Sequence, residues 1–204
     1  MSGITFFQIF FVCLIGAISP GPSMVVVINN AIFKNRFNGI VTSIGHGLGI
    51  SIYALFAVIG IGLIIKTNIM IFNGIKVLSI IFLFYLGIKS IITDSKLDFK
   101  SKNSEGGVKS FLQGFSISIL NPKIFIWFVA IYSQFMSSDN DLIFNSYLVL
   151  TAGIIDASWY ILLTFLVTSN AALNFLKAKN YLIHKFIGIL FILIAFMISL
   201  EMLI

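Results

Sequence analysis

Of seven acidic residues, Asp156 is the one that lies deep in a long apolar run, about 14 residues or 21 Å from where that run begins. A carboxylate so far from water costs about 2.5 to 3.5 kcal/mol on insertion scales, so it needs a cation, a proton or a wet cavity. It could titrate a proton or face the ammonium of a solute; a purely structural ion pair would satisfy it equally. Lys123, about 13 residues into another run and too deep to snorkel easily, is its natural partner, although depth counting leaves an axial gap of about 10 Å. His46, flanked by Gly45, Gly47 and Gly49, could relay protons, while a lone intramembrane histidine more often hydrogen-bonds between helices. Asn29, Asn30, Asn121 and Gln134 could fix a polar ligand or, equally, bridge helices. Lys76, about seven residues from the end of its run, reads as a snorkelling side chain.

The chain's three prolines all fall inside apolar runs, as Ser19-Pro20-Gly21-Pro22 and Asn121-Pro122-Lys123. Proline removes a backbone donor and disfavours helix in the residue before it, so both segments break near the middle of a span. Carbonyls and amides freed there must be satisfied by protein, water or solute. A half-helix starting at Pro22 would aim its amide-rich end into the interior, a cradle suited to a carboxylate. Ser19-Pro20 and Asn121-Pro122 lie 102 positions apart, half the chain length. Helix breaks at matching places in two halves point to a transporter's solute site; a single break would be read as a packing kink.

The elements carrying these residues follow from composition. With 59% hydrophobic and 10% charged residues among 204, there is too little polar side chain to cover a water-soluble globule. Six apolar stretches, near residues 4–33, 39–65, 69–92, 110–136, 142–167 and 181–203, are each long enough to span a bilayer as a helix. They do not alternate apolar and polar as barrel strands would, and lipid satisfies no backbone group, so the fold class is an all-α polytopic membrane protein. Nothing basic precedes the first run, which is read as a retained helix rather than a signal peptide.

Lys and Arg concentrate in the first, third and fifth connections, with Lys66 alone on the other side. The positive-inside rule makes those three connections cytoplasmic and puts the N- and C-termini outside. The formal charge of +6 therefore reflects topology, not a nucleic-acid partner. A polar linker at 94–109 divides one transmembrane domain, 1–204, into halves of about 1–93 and 110–204, each of three spans. Three spans per half reverse the second half, which gives a 3+3 inverted repeat with broken first and fourth helices.

Cys13 is the only cysteine, and His46 and His184 are far apart in sequence, so a cysteine-based metal site is excluded. No metal-hydrolase, phosphate-loop or nucleophile-elbow pattern is present. The chain therefore reads as no enzyme and needs no cofactor. Energy for any transport must come from an ion gradient, the membrane potential or the solute's own gradient.

Several of these motifs together resemble a known family. Ser19-Pro20-Gly21-Pro22 followed by Gly39, Gly45 and Gly49 is similar to the opening of the LysE/RhtB amino-acid exporters. So are Tyr85-Leu86-Gly87-Ile88, and Phe111-Leu112-Gln113-Gly114 leading through Leu120-Asn121-Pro122-Lys123 to Gln134-Phe135. Asp156 stands where such exporters usually carry an intramembrane aspartate. Ser133 departs from the proline usual before Gln-Phe, which bears on how the fourth helix ends. The resemblance implies a bacterial inner-membrane protein that exports amino acids or close derivatives, often on the proton gradient, with the bilayer and a small solute as partners. A homo-oligomer is compatible with it. On that reading Pro20, Gly21, Pro22, Asn121, Pro122, Lys123 and Asp156 form the solute site, with Asn29, Asn30, His46 and Gln134 as secondary candidates. The competing readings are a metal-cation or small-ion exporter, disfavoured by a single deep carboxylate, and a non-transporting scaffold subunit, which leaves the paired breaks without purpose.

Overall fold

The computed structural model describes residues 3–92, 106–137 and 140–201. Most of the linker expected at 94–109 lies outside the described residues. Among the described residues eight helices follow in order: α1 (Gly3–Ile18), α2 (Pro22–Phe33), α3 (Arg36–Thr67), α4 (Ile69–Ile92), α5 (Gly107–Ile119), α6 (Pro122–Phe135), α7 (Leu142–Val167) and α8 (Asn170–Glu201). Helices α3, α4, α7 and the 178–200 part of α8 are each long and apolar enough to cross a bilayer. The α1–α2 pair bends by 66° and the α5–α6 pair by 57°, and each pair taken together also passes as one span, giving six. Large apolar side chains such as Phe7, Phe56, Leu63 and Phe186 are more than 60% exposed, an outer surface suited to lipid and not to water.

Local chemistry sets the helix ends. Proline is the first residue of both α2 and α6, where its missing N–H costs nothing. Asn68 alone joins α3 to α4, and its side chain accepts from the amides of Met70 and Ile71 at 3.1 and 3.0 Å. Asp141 caps α7 through the Phe144 amide at 2.7 Å. Ser133 Oγ donates to the Ala130 carbonyl at 2.9 Å, and α6 runs on to Phe135. Lys76 is half-buried with its ammonium 5.0 Å from the centre of the Phe72 ring.

One expectation needs correction. The fifth connection, expected between the stretches near 142–167 and 181–203, is mostly helical: α8 starts at Asn170. No proline or glycine interrupts 170–187, and Leu173 and Leu176 pack on a buried cluster of Met24, Val27, Ile28, Tyr160 and Leu163. Tertiary packing thus extends the last helix past its membrane-spanning part.

Spans two and five (α3, α7) pack together, as do spans three and six (α4, α8). Both crossings are reciprocal at glycine. A Cβ on Gly47 would lie 2.7 Å from the Gly153 carbonyl, and one on Gly153 2.9 Å from that of Gly47. Gly87 and Gly188 answer each other in the same way, at 2.8 and 2.6 Å. Such self-complementary contacts between equivalent helices are what a pseudo-two-fold axis between inverted halves requires. Gly188→Ala is expected to force α4 and α8 apart and to destabilise the protein by about 1 to 3 kcal/mol, the usual cost of overpacking. A lowered unfolding temperature in detergent would report it; an unchanged one would mean that the helices are not held at this separation.

Candidate functional site at the two helix breaks

Residues Ser19, Pro20 and Gly21 separate α1 from α2, and Leu120 and Asn121 separate α5 from α6. The two breaks differ in how their amides are satisfied. Asn121 turns its own side chain onto the Lys123 amide at 3.1 Å, so the start of α6 is self-capped. Gly21, in extended backbone with φ of −179°, offers no side-chain cap to α2. The first amides of α2 therefore keep their donor capacity, and with it the positive end of the helix dipole.

A cavity of about 50 Å³ lies between the breaks, bounded by Ser19, Gly21, Ser23, Asn121 and Lys123, by His46 and Asp156, and by an apolar wall including Ile50, Trp127, Phe128 and Phe191. Lys123 Nζ donates to Ser19 Oγ at 2.5 Å, tying one break to the other. Among the described residues no carboxylate comes within ion-pair distance of Lys123.

Asp156 is paired instead with His46, Nδ1 to Oδ2 at 2.6 Å, and both residues are buried. This corrects the expected Lys123–Asp156 pair, and the reason is depth. Helices α3 and α7 are antiparallel and meet at one face, where Arg36 Nε donates to Thr168 Oγ1 at 2.9 Å. Counting inward from that bond, His46 is ten residues from Arg36 and Asp156 twelve from Thr168, about 15 and 18 Å, so the two side chains lie at similar depth. Either the carboxylate accepts from Nδ1–H or a carboxyl donates to bare Nδ1, so one proton lies in the bond between them. His46 packs edge-to-face on Tyr160 with ring centres 4.9 Å apart, and its buried Nε2 has no hydrogen-bond partner.

The structure gathers Gly21, Asn121, Lys123, His46 and Asp156 around one space. Pro20 is buried and does not line it, and Pro22 and Pro122 begin the half-helices. The other secondary candidates lie elsewhere. Asn29 and Asn30 line a groove between α2 and α5. Gln134 sits in an apolar groove between α1, α6 and α8 and donates to Ser133 Oγ at 3.0 Å. Sequence reading missed Tyr160 and the aromatic wall, since aromatic residues are as common on the lipid side; it missed the His46–Asp156 pair, which equal depth from the basic face would have revealed.

Comparison with known proteins agrees with this architecture. The chain is 28% identical to the uncharacterized membrane protein YrhP of Bacillus subtilis over 163 residues, 74% of this chain and 77% of that protein. It is also 28% identical to a protein named leucine efflux protein in Salmonella typhimurium, over 184 residues covering 86% and 80% of the two chains. No solved structure matches it. The family model described as LysE type translocator matches residues 14–201, spanning both breaks and the His46–Asp156 pair, so the chain belongs to that family and is a transporter, not an enzyme.

Proposed function

We propose that the protein exports amino acids or close derivatives across the bacterial inner membrane by secondary active transport coupled to protons. The observation that carries this reading is one cavity joining an uncapped helix start, an ammonium with no carboxylate in ion-pair range among the described residues, and a buried pair holding one proton. The amides of α2 and Lys123 hold the solute carboxylate, the aromatic wall receives its side chain, and the His46–Asp156 pair carries the proton. The leucine efflux relative supports amino acids as the solute class. A space of about 50 Å³ holds a few waters, so solute is admitted only when the half-helices swing about their breaks.

The face bearing Lys34, Arg36 and Lys109 is cytoplasmic in this scheme, with both termini outside. Reporter fusions at the 94–109 linker and at either terminus test that topology; a cytoplasmic C-terminus would overturn it. For function, cells are loaded with dipeptides and the free amino acids leaving them are compared between overexpression and deletion. Overexpression is expected to raise efflux of a defined subset of amino acids, and an uncoupler to suppress it. Identical efflux from the two strains would dismiss the exporter.

A further inference from the structure

A second cavity, of about 320 Å³, opens between α2 and α5 toward the basic face. It begins one turn beyond the central cavity: Val26 follows Ser23 by three residues, and Leu120 adjoins Asn121. Three features of its lining bear on what it binds. Lys34 Nζ is held by neutral oxygens, Ser110 Oγ at 3.1 Å and Gln113 Oε1 at 3.3 Å, with no carboxylate in ion-pair range among the described residues. Asn29 Oδ1 is buried and has no hydrogen-bond partner. Val26, Phe33, Ile117 and Leu120 supply apolar wall around them. An uncompensated cation, an orphaned acceptor and an apolar wall in one groove match a zwitterion with an apolar side chain.

We propose that this groove is a second solute subsite, in which Lys34 receives the carboxylate of a neutral amino acid and Asn29 Oδ1 its ammonium before passage to the central cavity. The proposal rests on the export reading above. The same residues form a closure between the two halves of the chain. Asn30 Nδ2 donates to Gln113 Oε1 at 2.9 Å, and Ser110 Oγ donates to Asn38 Oδ1 at 2.9 Å. A carboxylate arriving at Lys34 competes with Gln113 and Ser110 for that ammonium, so occupancy loosens the contact between α2 and α5.

The test reads binding without transport. Ser116→Cys places a thiol in the groove, and the parent chain, whose only cysteine is Cys13, supplies the background rate. De-energised membranes are labelled with a charged methanethiosulfonate in the presence of leucine, isoleucine, valine and methionine, or of the corresponding amides, which lack the carboxylate. The amino acids are expected to slow labelling and the amides to do so far less. Lys34→Gln should weaken protection about tenfold or more, the loss typical of a hydrogen bond to a charged group, and Lys34→Arg should retain it. Equal protection by the amides, undiminished protection in Lys34→Gln, or no protection at all would overturn the subsite. Protection without efflux would instead leave the subsite standing and remove the export reading.

Discussion

Asp156→Asn is expected to reach the membrane at close to the parent level while losing proton-driven efflux. Asparagine keeps the size of the side chain and can still bond neutral His46, so no buried charge is stranded in the variant. What disappears is the group that shares a proton at 2.6 Å with Nδ1. Gradient-driven efflux should fall at least about 100-fold, equivalent to about 3 kcal/mol, while solute exchange down equal gradients survives. His46→Ala behaves differently, because it leaves a buried carboxylate without its partner, a change that typically costs about 3 to 5 kcal/mol. Its membrane level should drop, and adding Asp156→Asn should restore the level without restoring coupling. Immunoblots of membranes beside efflux measured with and without an uncoupler separate these outcomes. Normal, uncoupler-sensitive efflux in Asp156→Asn would remove the pair from the mechanism.

Gly21→Leu is expected to silence transport in a protein that folds normally. The backbone at Gly21 is extended, a conformation open to any residue, and a Cβ there meets no atom within 4 Å. A leucine side chain on this cavity-lining residue grows into a space of about 50 Å³ beside Lys123 and the start of α2. It should exclude the solute, with efflux reduced at least about 100-fold, the equivalent of about 3 kcal/mol of lost binding. Gly21→Ala should be milder. Gly16→Ala is the contrasting control: its Cβ would meet the Trp127 indole nitrogen at 2.7 Å, so stability should suffer along with transport. Efflux and unfolding temperature measured together distinguish blockage from misfolding. Full efflux by Gly21→Leu would place the solute path outside this cavity.

The spans and both breaks were legible in the residues themselves. In lipid a segment must satisfy its own backbone, so its length and apolarity decide whether it crosses, and proline acts on its own turn of helix. The one misread boundary, the start of α8 at Asn170, fell where amphipathic sequence is held helical by packing on the Met24–Tyr160 cluster.

Which polar groups meet was decided by the tertiary structure alone. Asp156 had Lys123 and His46 as candidate partners; the choice went to His46 because the Arg36–Thr168 bond and the Gly47–Gly153 crossing set α3 against α7 in a register that brings equal depths together. Lys123 was turned to Ser19 by the bend between α5 and α6, an angle no local sequence specifies. Asn29 and Asn30 were separated from Gln134 for the same reason: one pair faces the α2–α5 groove, the other side chain the groove beside α1 and α8. Spanning is a property of each segment and can be read from it, whereas pairing depends on the relative depth and rotation of two helices, which exist only once they have packed.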